Sequence, residues 1–432
     1  MTNTLANAPR QYTHPLVFLL LIIPFGAVGG FLGVTIVYQL GRAGVNPLAI
    51  AVLASLSVMP HTIKFLYAPL VDLTLTRKRW FVMASMASAL GLALLGMVPA
   101  TEAGLPWLRV LVVAVNFACA FLSMAVESLM AHNTAPGDLG RTAGWFQAGN
   151  LGGSGLGGGL ALVIAENTTY PWLPGVVLAI VCLLTGIAIL FTSEPERHLP
   201  ELLDSQIKDS SPRKSNPVWR TIKQLLLDLW HVGSSRMGYL ALLICFLPIG
   251  SGGAGMLFTL AAPEWGANAN DVAVVGGALG GLVSAFGCMV GGYFCDRIDR
   301  KLAYALFGVI MSICSLLMAW ASHNLNMYYV FVLSYSFIAG LCYASFTAVT
   351  LEAIGTGAVA TKYSIFASLS NTPIAYTGIV IAYFYENSGS DAGLYADAAM
   401  GVAGALVFLL VAVVSKSIHN QYLQRRQAIS SA

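Results

Sequence analysis

Residues 271–301 read DVAVVGGALGGLVSAFGCMVGGYFCDRIDRK. No charge interrupts the stretch from Val272 to Cys295, after which Asp296, Arg297, Asp299, Arg300 and Lys301 follow almost at once. An apolar run of that length is what a helix needs to cross a hydrocarbon core about 30 Å thick. The charged tail marks the point where such a helix meets water. Runs of the same kind recur on both sides, and the expected spans are 15–40, 47–71, 79–99, 106–131, 141–165, 172–192, 237–262, 271–295, 301–321, 326–353, 362–386 and 396–418. The chain as a whole is 57% hydrophobic and 9% charged, where a soluble domain carries about 25% charged residues. This composition excludes a water-soluble globule.

The first run is too long for a secretory signal and lacks a small-residue cleavage site, so it reads as the first helix. With the N-terminus inside, nineteen of the 22 Lys and Arg fall on one side. Arg42 and Arg109 fall on the other, and Lys64 lies within a span. Basic loops stay cytoplasmic, which puts both termini inside. The expected location is a bacterial inner membrane. The seven cysteines all lie within spans and form no C-x-x-C pair or metal spacing, so they read as packing residues.

Working outward from Asp296, a shift of 224 residues reaches Asp72, and the same shift joins several other pairs. Pro24-Phe25-Gly26 answers Pro248-Ile249-Gly250, Gly29 answers Gly253, Thr35 answers Thr259, Asn46 answers Asn270 and Arg77 answers Lys301. Glu127 meets Glu352 at 225, and the pair Arg141 and Asn150 is mirrored by Lys362 and Asn371. The chain therefore reads as two repeated halves, 1–192 and 237–432. Residues 193–236, rich in Pro, Ser and mixed charge, form a cytoplasmic linker, helical near Trp219–Trp230. Its basic residues suit anionic lipid headgroups.

Gly292-Tyr-Phe-Cys-Asp296-Arg297, closing on Arg300-Lys301, resembles the G-x-x-x-D-R loop signature of the major facilitator superfamily. The first copy departs from it, with Ala68 in the glycine position and Leu73 after Asp72. Residues 60–72, PHTIKFLYAPLVD, resemble instead a segment of one branch of that superfamily, the bacterial muropeptide permeases and acetyl-coenzyme A transporters. Residues 360–386 resemble helix 11 of the permeases. The branch's Q-D-x-x-x-D in helix 4 is reduced here to F-L-S-M-A-V-E, ending at Glu127. The resemblance implies an all-α membrane protein with the major facilitator fold, twelve transmembrane helices in two six-helix repeats, and a solute site between the halves.

Within that frame the polar residues inside spans become site candidates. Lys64 carries a charge whose cost near mid-membrane is about 2.5–3.5 kcal/mol. It either faces a cavity and binds an anionic group or snorkels to headgroups. Its repeat partner is Cys288, so the fold does not demand a lysine. His61 shares its face and either titrates there or packs. Asn116, Gln147, Asn150, Tyr335, Tyr343 and Asn371 complete the substrate-binding candidates, with interhelical bonding as the alternative for each. Asp296 sits where it can meet a helix N-terminus. Asp72, Arg77, Glu127, Asp296, Arg297 and Glu352 are expected to form a gate, Glu352 pairing with Arg297 and Glu127 with the run Arg77–Arg79. A proton relay is the other reading of Glu127. G-x-G-x-x-G occurs at Gly153–Gly158 and Gly250–Gly255, without the strand a dinucleotide site requires, and reads as close helix packing.

No Walker sequence, H-E-x-x-H or G-x-S-x-G is present, so the chain is not expected to be an enzyme and no cofactor, metal or nucleic acid is implied. The expectation is a monomeric, proton-driven secondary importer of a moderately large, partly anionic amphipathic solute: a muropeptide, a siderophore or a coenzyme A thioester. The alternative is a transport-inactive sensor or assembly factor on the same fold.

Overall fold

The computed structural model describes residues 12–194, 227, 230, 233–355 and 359–430, and helix is the regular structure found there. The linker expected over 193–236, with its helix near Trp219–Trp230, lies almost wholly outside the described residues. Eleven helices among the described residues are long and apolar enough to cross a bilayer. They are α1 Pro15–Arg42, α2 Leu48–Tyr67, α3 Arg77–Met97, α4 Glu102–Asn133, α5 Pro136–Asn167, α6 Leu173–Phe191, α8 Asn270–Cys295, α9 Arg300–Ala319, α10 Leu325–Ile354, α11 Val359–Ser388 and α12 Ser390–Ser415. Side-chain caps fix several starts: Thr76 accepts from Arg79 N, Asp299 from Lys301 N and Leu302 N, and Asn324 from Met327 N.

The seventh span, expected as one helix over 237–262, is broken. α7a runs Arg236–Ile244 and α7b Ala254–Ala261, with irregular chain between them. Pro248 offers no N–H, and Gly250 and Gly252 take φ of 59° and 71°, where a Cβ is unfavourable. The glycine run at Gly250–Gly255 therefore breaks the helix, while Gly250 and Gly253 within it still pack closely, against Cys342 and Thr377. With its two pieces the order still accommodates twelve crossings.

Elsewhere glycine does allow backbones to touch. A Cβ on Gly26 or Gly30 of α1 would run into Asn150 O or Ser154 O of α5. α5 meets α8 in the same way, Gly144 against Gly292 and Gly155 against Gly281. Such contacts replace a hydrophobic driving force, which lipid does not supply. α1 and α5 each carry a π-helical turn, at Phe31–Ile36 and Leu156–Leu160, and Thr35 Oγ1 donates to Gly157 O and Gly158 O at 3.1 Å. A hydroxyl on one helix thus satisfies carbonyls released on the other. All seven cysteines are free and buried.

Since the helices alternate in direction, Arg77–Arg79 and Arg297–Lys301 lie at one end of the bundle, called here the basic end. The other is the far end.

Candidate functional site

The basic end is where the first six helices are tied to the last six. Asp72 follows α2 and accepts from Ala360 N (3.2 Å), Thr361 N (2.9 Å) and Thr361 Oγ1 (2.8 Å), the first turn of α11. Asp296 follows α8 and accepts from Gly140 N (2.7 Å) and Arg141 N (2.8 Å), near the start of α5. Two acids from equivalent places in the sequence therefore each cap a helix across the interface, where backbone N–H groups and the helix dipole favour negative charge. Burial pushes both carboxyls above their ordinary range, against the backbone bonds that pull them down. Gly140 is a close approach: a Cβ there would lie 2.7 Å from Asp296 Oδ1.

The expected pairings at this end are corrected. Glu352 meets Arg300 at 3.2 Å and Lys301 at 3.8 Å, not Arg297. Arg297 lies over the Tyr293 ring, 3.3 Å from its centroid, and donates to Tyr293 O. Arg297 sits in the turn after α8, whereas Arg300 and Lys301 open α9, which packs against α10 and so faces Glu352. Glu127 likewise does not meet the run Arg77–Arg79. Arg77 Nε donates to Ser128 Oγ at 2.8 Å, and the Glu194 carboxylate accepts from Arg77 N and Lys78 N.

The partner of Glu127 is Lys64. Nζ lies 3.0 Å from Oε1 and 3.4 Å from Oε2, and the two residues are only 6% and 4% exposed. The lysine therefore does not snorkel. α2 is irregular at Ile63, directly before Lys64, and Tyr67 Oη donates to Pro60 O below the proline-bearing turn. A buried pair of this kind persists only if both charges stay matched. Lys64 Nζ is 5.8 Å from the ring centroid of Tyr363 on α11. From there a polar chain crosses the interface: Tyr363 Oη to Thr347 Oγ1 (3.5 Å), Gln147 Nε2 to Thr347 Oγ1 (2.7 Å) and Asn150 Nδ2 to Gln147 Oε1 (3.0 Å).

His61 sits one turn from Lys64, with Nε2 3.0 Å from Asn116 Oδ1 and its ring edge-on to Phe25. Its buried Nδ1 has no hydrogen-bond partner among the described residues. Ser368 Oγ donates to His61 O at 3.5 Å, a further link between α11 and α2. Lys64, His61, Asn116, Glu127, Gln147 and Asn150 thus form one layer with Thr347, Tyr363 and Ser368. Tyr343 packs near α5 and α8 beside Ala148 and Cys288, and Asn371 is exposed midway along α11. Tyr335 does not join the layer. It is buried among the last six helices and donates to Asp397 at 3.2 Å, so the two candidate tyrosines of α10 serve different surroundings.

An all-helical chain of bilayer-crossing length, with a polar layer between its first and last six helices, is a polytopic membrane protein. Its sequence matches the Major Facilitator Superfamily over residues 16–376, and the chain belongs to that family. Among solved structures, the human organic anion transporter MFSD10 (TETRAN) is similar at 16% identity and TM-score 0.66, covering 93% of this chain and 100% of that one. A variant of the E. coli fucose:proton symporter FucP is similar at 16% identity and TM-score 0.67, covering 93% and 99%. FucP in the outward conformation gives 17% identity and TM-score 0.63, covering 93% and 99%. At these identities the likeness is one of fold.

Proposed function

We propose that the chain is a proton-coupled importer of a partly anionic amphipathic solute, working by alternating access about the Lys64–Glu127 layer. The observation that carries this reading is the buried ion pair itself. Lys64 and Glu127 lie where the two sets of helices meet, and an incoming anionic group offers the lysine a second acid. If the solute takes Lys64, Glu127 loses its counter-charge and binds a proton, which joins the two fluxes in one site. Tyr363, Phe25 and the amides supply the amphipathic lining. The resemblance to muropeptide and acetyl-coenzyme A carriers favours a bulky solute, and the similar human protein is an organic anion transporter.

The conformation fits the outward-facing state from which an importer loads. If the basic end is cytoplasmic, as the charge bias argues, the caps by Asp72 and Asp296 close the inner side. Gly29 and Gly33 in the middle of α1 and Gly255 at the start of α7b are exposed, as an opening between these helices on the far side requires. The test is binding of muropeptides, ferric siderophores and coenzyme A thioesters to purified wild type and to the Lys64→Met/Glu127→Gln variant, read as a shift in melting temperature. The variant removes both charges together and so leaves no orphan in the bilayer. At least one anionic solute should stabilise wild type and leave the variant unmoved. Equal stabilisation of both would refute the role of the pair, and no shift with any anionic solute would favour a transport-inactive protein.

A further inference from the structure

Asp397 is buried, 7% exposed, and lies about two turns inside α12. Its carboxylate is met by neutral donors. Ser315 Oγ of α9 donates at 2.6 Å and Tyr335 Oη of α10 at 3.2 Å, and the backbone N–H of Ala254 also bonds to it. Ala254 is the first residue of α7b, so the acid caps the outer half of the broken helix. The break is seated on the same neighbours. Gly404 of α12 touches Pro248, Gly250 lies against Cys342 of α10, and Tyr304 of α9 donates to Ile249 O. α7b is held besides by Tyr335 edge-on to Phe258 and by Tyr328 Oη on Phe258 O.

We propose that Asp397 is a proton-binding site that sets the angle of α7b at the helix break. Ionised, it holds three donors and its charge complements the N-terminus of α7b, keeping that segment back against α9, α10 and α12. Protonated, it loses the charge and presents a donor of its own, and α7b is released to swing over the far-end opening. Burial opposes the ionised form while the three donors favour it, so a change of solvent access tips the balance. The ligand is a proton and not a metal ion, since the surrounding groups turn hydrogens toward the carboxylate and do not present a cage of oxygens.

No cation faces Asp397 from the helices around it in the ion pairs found among the described residues. α9 contributes Ser315 and Cys314, α10 contributes Tyr335 and Cys342, and α7b has no titratable side chain from Ala254 to Ala261. On α11, Tyr376 and Tyr385 bond Phe246 O and Leu260 O of the seventh helix. The nearest ionisable side chains along α12 and its outer neighbours include Asp391 and His323, 3.2 Å apart and about 9 Å further out.

The experiment needs no solute and so stands apart from the proposed substrate. Spin labels at Ala43 and Leu260, both exposed at the far end, report the opening by pulsed electron resonance across external pH. Wild type should shorten with a single-proton midpoint as pH falls. Asp397→Asn should show the short distance at every pH. Ser315→Ala and Tyr335→Phe keep the acid but remove a donor to its charged form, so each should move the midpoint up by about one pH unit or more. A wild-type distance independent of pH would overturn the proposal. So would an Asp397→Asn protein that keeps the wild-type titration, or donor variants whose midpoint stays or falls.

Discussion

Glu352 shows what a charge at a helix end does when several partners are within reach. Its two contacts, Arg300 and Lys301, belong to the first turn of α9, and Arg300 also lies 3.9 Å from Asp296. Arg297, next to Asp296 in sequence, lays its guanidinium over the Tyr293 ring. A double-mutant cycle in stability should therefore find coupling of about 0.5–3 kcal/mol between Glu352 and Arg300. It should find none above about 0.5 kcal/mol between Glu352 and Arg297. Coupling through Arg297 instead would contradict the geometry. The residue types at this end were legible in the sequence because charge beside an apolar run is conspicuous. Their pairing was not, because a one-turn difference in where a helix begins decides which basic residue faces the acid. Lys64 and Glu127 show the same limit from another side: each stood out, but nothing in their separation along the chain marks them as partners.

At the scale of elements, helix ends follow from local chemistry, and ten of the expected spans agree with the observed helices to within a few residues. α12 is off by more, beginning at Ser390 instead of 396. That displacement hid Asp397, which falls at the edge of the expected span 396–418 and lies about two turns inside the observed helix. A wider window around an acid at the margin of an apolar run would have flagged it. The seventh helix hid differently. Its hydropathy is continuous, while Pro248 and the two glycines of positive φ interrupt the hydrogen bonding that hydropathy does not register. The two cross-interface caps belong to this scale as well. Asp72→Ala and Asp296→Ala each remove every acceptor from a pair of backbone N–H groups at a helix start. Each should weaken closure of the basic end by about 1–3 kcal/mol. The native Cys295, buried against Gly140 in the α5–α8 contact, should then react faster with a water-soluble thiol reagent in either variant. Unchanged labelling in both would show that the caps do not hold that end.

For the whole molecule, the repeat of 224 residues anticipates the symmetric caps: the acid after α2 serves α11, and its counterpart after α8 serves α5. The polar layer, by contrast, breaks the repeat, with Lys64 on one side and buried Cys288 in the equivalent place. Symmetry thus describes the caps at the basic end, and asymmetry describes the polar layer. The central claim is that these two parts work together, the basic end opening as the far end closes. It is tested most directly by measuring two distances in one membrane preparation, between labels at Arg79 and Ile298 for the basic end and at Ala43 and Leu260 for the far end, before and after adding an anionic solute that binds. Without solute the account predicts a single short distance at the basic end and a long one at the far end. With solute it predicts a second population in which the first lengthens as the second shortens. Two distances that stay fixed, or that lengthen together, would contradict it.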